Sequence, residues 1–86
     1  MTRDEARREL ATKTLPQIQR ETAWTWATRA AAAYEFMDEN PADALHWLHV
    51  ATELAHEACE HAALADDPGL VAAVNDFLRP RRRPVV

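Results

Sequence analysis

Between Gln17 and Ala65 the chain carries no glycine and a single proline, Pro41. These two residues oppose helix most strongly, by about 1 and 3 kcal/mol relative to alanine. A run of this length, with alanine as its commonest residue, is therefore expected to fold as helix on both sides of Pro41. Gly69 is the only glycine of the 86 residues, which leaves almost nothing for β-turns or bulges. The predicted class is all-α. Two long helices, about 16–39 and 41–65, pair as an antiparallel hairpin of nearly equal arms, each roughly 36 Å long at 1.5 Å per residue. The junction is so short that a continuous helix kinked at Pro41, opening into a domain-swapped dimer, stands as the alternative.

Local signals set the boundaries. Thr2 and Glu5 have capping-box spacing, which predicts a first helix over about 3–13. Only Ala6, Leu10 and Ala11 give it an apolar side, so loose docking is expected. Pro16 suits the first turn of the second helix. Asn40, Pro41 and Asp43 read as an N-cap, a proline at the first position and an acid three residues after the cap, starting the third. Asp66 and Asp67 before Pro68 repeat the signal for a short fourth helix, about 68–79, whose edge of Leu70, Val71, Val74, Phe77 and Leu78 should fold back onto the hairpin. Residues 1–79 thus form one domain. From Pro80 onward a Pro/Arg tail is expected to be extended and mobile.

In the second helix, Ile18, Thr22, Trp26, Ala30, Ala33 and Met37 form one stripe and Trp24, Ala27, Ala31 and Tyr34 another. Glu21, Thr25, Thr28, Ala32, Glu35 and Glu39 lie opposite, toward solvent. The third helix should bury Ala44, Leu48, Ala51, Leu54, Ala55, Ala58 and Ala62, with Trp47 on its flank. Alanine buries little area, so Trp24, Trp26 and Trp47 are expected to carry much of the apolar burial. A chain this small buries only about 60–65% of its unfolded surface. Self-association, completing a four-helix bundle, would supply the missing core. Trp24, Trp26, Tyr34 and Trp47 are the candidate interface anchors, because buried aromatics dominate interface energetics; simple core filling is the other role open to them.

Charge is segregated. The net charge is -4, yet no Lys or Arg stands between Arg29 and Arg79, a span holding ten carboxylates and all four histidines. Arg79, Arg81, Arg82 and Arg83 form the basic tail. This pattern reads either as a solvated acidic face with a loose end, or as a surface for a basic partner or a metal. A tail that contacts the acidic face of a neighbouring subunit, or that docks on an acidic partner, fits it better than nucleic acid, which the rest of the chain would repel. No stretch approaches the roughly 18 apolar residues of a membrane span, and the N-terminus lacks a signal-peptide apolar run. With Cys59 as the single cysteine, expected to be a packed thiol, a cytoplasmic setting is predicted.

His46, His49, Glu53, His56 and Glu60 line one stripe of the third helix, with Glu57 and His61 beside it. Glu53 and His56 have the i, i+3 spacing by which helical bundles present a carboxylate and an imidazole to one metal. The same stripe is equally the solvent side of an amphipathic helix. Four histidines among carboxylates also raise pH sensing as a third possibility. The sequence Glu57-Ala58-Cys59-Glu60-His61-Ala62-Ala63 resembles the ferritin-like proteins, specifically the encapsulated ferritins. That resemblance implies a metal site, iron or zinc, completed on dimerisation by Glu53, His56, Glu57, Glu60 and His61, with ferroxidase-like activity. Ala58 stands three residues before His61, where that family has its glutamate.

A second resemblance is better in register. Ala44, Leu45, Leu48, Ala51 and Leu54, with Ala31 and Tyr34, are similar to one copy of a tetratricopeptide repeat, although Ala27 replaces the usual tryptophan and His56 stands at the closing proline. It implies protein or peptide binding. Other enzymatic readings find no support: the chain has no Gly-rich loop, no serine, no second cysteine and no His-x-Glu-x-x-His run. The expected function is a non-enzymatic interaction module, self-associating and without a cofactor, with the metal-binding bundle as its alternative.

Overall fold

The computed structural model describes residues 2–82; Arg83 and the rest of the tail lie outside them. The helices are α1 (Arg3–Ala11), α2 (Leu15–Glu39), α3 (Ala44–Leu64) and α4 (Pro68–Leu78), with one 3-10 turn, Pro41–Asp43, between α2 and α3. Among the described residues there is no strand, and the chain is all-α.

The N-terminal caps follow side-chain chemistry. Thr2 accepts from the Glu5 amide at 3.2 Å. Thr14 and Gln17 form a reciprocal capping box, Gln17 N donating to Thr14 Oγ1 at 3.3 Å and Thr14 N to Gln17 Oε1 at 2.8 Å. The box starts α2 at Leu15, one residue before the proline. Asp67 Oδ1 accepts from Gly69 N at 3.1 Å and caps α4. Asn40 departs from its expected role. Its Nδ2 donates backward to Phe36 O at 3.0 Å, closing the end of α2, and α3 begins at Ala44 without a side-chain cap. The 3-10 turn reverses the chain too tightly for Asn40 to face forward.

The hairpin is closed within one chain. Ala23, Ala27 and Ala30 pack with Ala55, Ala58 and Ala62 toward its open end, while Ala33 and Tyr34 pack with Leu48 and Ala51 near the turn. That pairing is antiparallel, and it excludes a continuous α2–α3 helix in this structure. Leu70, Val74 and Leu78 of α4 cover only the first of these clusters, so among the described residues the turn end has no third helix over it.

The tryptophans do not fill the core as their size suggests. Ten of the fifteen buried apolar side chains are alanines, and the largest fully enclosed ones are Leu78 and Val74. Trp24, Trp26 and Trp47 are each half-buried. Small residues along the seam let the two backbones approach closely, which leaves no room for an indole between them and displaces all three to the flanks. The helix α1 buries no residue, and its Leu10 is 55% exposed. It is tied down through Lys13, whose Nζ lies 2.7 Å from Glu9 Oε1 and 2.7 Å from Glu21 Oε2.

The basic segment is not extended where it is described. Backbone amides of Arg81 and Arg82 both donate to Leu78 O, at 2.9 and 3.0 Å. Arg81 stacks over the Phe77 ring at 4.6 Å and donates to Phe77 O at 2.7 Å. Arg79 pairs with Asp76 at 2.9 Å.

Candidate functional site

A helical hairpin has two faces, and α4 takes one of them. Trp24 meets Phe77 of α4 edge-on, with ring centroids 5.7 Å apart, and Arg20 reaches Asp67 at 3.3 Å. On the other flank of α2, the helical period aligns Gln19, Trp26, Ala33 and Met37; on the facing flank of α3 it aligns Trp47, Val50, Leu54 and His61. Trp26, Met37, Trp47, Val50 and Leu54 are all half-buried against the hairpin core. Phe36, 46% exposed, extends this apolar face at the turn, its ring 5.1 Å from Trp47. A depression of about 610 Å³ opens beside Trp26, lined by Thr52, Glu53, Leu54, His56 and Glu57 of α3.

The proposed anchors therefore separate by role. Tyr34 is 3% exposed and belongs to the chain's own core, while Trp24 packs on α4. Trp26 and Trp47 remain on the open face. Arg29, whose guanidinium lies 5.2 Å over the Trp26 ring, joins them; it was legible as an i+3 neighbour of Trp26. Phe36 carried no such signal, because its position on the α2 helix belongs to neither apolar stripe.

The Glu/His residues are brought together as two pairs. His56 Nε2 lies 3.0 Å from Glu60 Oε1, and His61 Nε2 lies 3.7 Å from Glu57 Oε2. His61 also meets Gln19 Oε1 of α2 through Nδ1 at 2.6 Å, so it ties the two arms of the hairpin together on the open face. Glu53 lines the depression beside Trp26. Among the described residues of one chain no three His, Cys, Asp or Glu side chains converge to hold a metal ion.

Cys59 sits at the core's edge and is not sealed in it. It is half-buried, with Sγ 3.6 Å from Asn75 Oδ1 and 3.8 Å from Arg82 Nη2. Arg82 Nη2 also donates to Asn75 Oδ1 at 3.1 Å. These three residues edge a second depression, of about 480 Å³, whose other walls are Tyr34, Thr52, Ala55 and His56. Asn75 had no sequence signal pointing to it.

Comparison with family models, with characterised proteins and with solved structures finds no match to this chain. Among the described residues no helix is long and apolar enough to cross a membrane.

Proposed function

We propose that this chain is a non-enzymatic helical interaction module that pairs with a second copy of itself through the uncovered face of the α2/α3 hairpin. The observation carrying this reading is the row of half-buried apolar side chains on that face, Trp26, Met37, Trp47, Val50 and Leu54, over a seam made of alanine. Half-buried indoles at the edge of such a seam have apolar ring surface still in water. Its removal contributes about 25 cal/mol per Å².

Surface area supports the same reading. A compact monomer of 9.7 kDa exposes about 5,100 Å² by the size scaling of folded chains, whereas this chain exposes 5952 Å². The excess is comparable to the ~800 Å² that each partner buries in a standard interface, although α1, which buries no residue, contributes to it. The extents of 44 × 31 × 14 Å contribute as well: through its thin direction the chain is about two packed helices deep. Pairing two hairpins face to face would complete a four-helix bundle. The sequence resemblance to one tetratricopeptide copy, carried by Ala44, Leu45, Leu48, Ala51 and Leu54, would imply protein binding as well.

Native mass spectrometry of the untagged protein tests this. A metal-free dimer is expected, and Trp26→Ala or Trp47→Ala should shift it toward monomer while far-UV circular dichroism stays helical. A monomer at tens of micromolar would sink the proposal. A dimer holding one metal ion per site, lost on His61→Ala, would favour the Glu/His bundle instead.

A further inference from the structure

Cysteines that react sit partly exposed beside a cation, whereas thiols sealed in a core are inert. Cys59 meets the first condition. It is half-buried at the edge of the second depression, with Arg82 Nη2 3.8 Å from its Sγ. Among the described residues lining that depression there is no carboxylate, and the one fixed charge is the Arg82 guanidinium. Glu60, next to Cys59 in sequence, is held by His56 Nε2 at 3.0 Å. Apart from Thr52, whose hydroxyl donates to Leu48 O at 2.8 Å, the polar groups around the thiol can donate. Asn75 Oδ1 accepts from both Cys59 Sγ and Arg82 Nη2, which fixes the orientation of the amide and leaves Nδ2 as a donor. Tyr34, independently of the thiol, points to a ligand. It is 3% exposed, yet its hydroxyl makes no hydrogen bond among the described residues. No described side-chain oxygen or nitrogen is both sealed from solvent and unpaired, so the phenol oxygen opens into the depression that its residue lines. A hydroxyl so placed leaves a hydrogen bond for an occupant to complete. A guanidinium, an amide N–H and a phenol O–H around about 480 Å³ suit an occupant that carries carboxylates.

We propose that Cys59 is a site of reversible thiolation by an anionic low-molecular-weight disulfide, whose retained half lies in the depression with its carboxylate against Arg82, Asn75 and Tyr34. The Cys59 thiol gives its proton to water and its thiolate attacks one sulfur of the disulfide. The reagent's S–S bond breaks, and the other half leaves as a thiolate that is protonated in turn. The protein thiol is oxidised and the departing half reduced, so no further reagent is consumed, and an excess of the free thiol reverses the step. Arg82 stands at the thiol because the amides of Arg81 and Arg82 fold back onto Leu78 O.

The probes are oxidised glutathione, which is anionic, and cystamine, which is cationic. Each rate is read by intact mass on the full-length protein and divided by the rate of N-acetylcysteinamide with the same reagent. This depression shares Thr52 and His56 with the one beside Trp26, so pairing of two chains can shield the thiol. Shielding slows both reagents alike, and the ratio of their rates therefore reads the site whether or not the chain pairs. An acidic chain, with a net charge of -4, would by itself favour cystamine, so the order of the two reagents decides. Oxidised glutathione is expected to react several-fold faster after normalisation, and Arg82→Gln to erase that preference. Tyr34→Phe, kept only if its circular dichroism is unchanged, should leave the rate nearly as it was while lowering several-fold the ratio of modified to free protein at a fixed ratio of glutathione to its disulfide. A preference for cystamine, no preference, or one that survives Arg82→Gln would overturn the proposal. An adduct as stable in Tyr34→Phe as in the unaltered protein would place the retained half outside the depression and overturn the site.

Discussion

Alanine at 23, 27, 30, 55, 58 and 62 fixes how closely α2 and α3 approach, and this spacing is the least forgiving feature of the molecule. Ala27 and Ala58 are both 0% exposed, so a larger side chain at either must push the helices apart. Ala58→Leu is expected to destabilise the fold by about 1–3 kcal/mol, the usual cost of overpacking, seen as a lower urea midpoint with circular dichroism as the probe; an unchanged midpoint would mean the seam has slack. Among the described residues, backbone strain stands at one position. Asp66, just past the end of α3, has φ 55°, a left-handed conformation that costs a residue with a Cβ more than it costs glycine. No side-chain hydrogen bond holds Asp66 there among the described residues. Asp66→Gly should therefore stabilise by about 0.5–1 kcal/mol, raising the thermal midpoint by a few degrees, whereas a lower midpoint would show that the aspartate favours the turn.

Between elements, the weakest connection is that of α1, which buries nothing and is held through Lys13. Hydrogen bonds that the Lys13 ammonium donates to Glu21, and then to Glu9, raise its pKa above its ordinary value of 10.5. A group whose folded pKa is raised contributes fully below its unfolded pKa and loses that contribution as pH rises through the folded one. On the lysine side the tether is thus intact at neutral pH and released in strong alkali. Lys13→Met should speed amide exchange in residues 3–11 at pH 7 while leaving α2–α4 unchanged; equal protection in both proteins would show that α1 is held by something else. Helix identity and the outward face of Glu21, Thr25, Thr28, Ala32, Glu35 and Glu39 were readable from spacing, because solvent and core impose a period on the sequence. The role of Asn40 was not, since an Asn before a proline closes one helix or opens the next according to how sharply the chain must turn. Trp47 was readable as a flank residue, but the positions of Trp24 and Trp26 were hidden: stripe membership gives the direction of a side chain, and only the interhelical distance decides whether an indole fits. Arg82 and Asn75 meet across the end of α4, a contact set by how the chain leaves that helix, for which periodicity carries no signal.

At the scale of the whole molecule, charge selects how two hairpins can face each other. A two-fold axis perpendicular to the helices within the interface would lay α3 on its own copy, and α3 has no Lys or Arg to oppose its carboxylates. An axis parallel to the helices instead lays α2 over the α3 of the second copy and preserves height along the hairpin. Arg29 stands beside Trp26, and Trp26 shares a depression with Glu53 and Glu57, so the three lie at one level on opposite edges of the face. The parallel axis therefore brings each Arg29 toward Glu53 and Glu57 of the other copy, twice per dimer, as an isologous contact requires. Like charges placed across an interface cost several kcal/mol, whereas rim pairs act mainly on association rate and salt dependence. Arg29→Glu is accordingly expected to weaken dimerisation at least tenfold in sedimentation equilibrium at low salt, with part of the loss recovered at high salt as the repulsion is screened. Glu57→Lys alone should also weaken it, because the introduced ammonium would face the Arg29 guanidinium. Combining the two exchanges the signs and should restore most of the affinity. Recovery in the double variant supports α2-on-α3 pairing, while additive losses would discard this arrangement in favour of one in which Arg29 and Glu57 never meet.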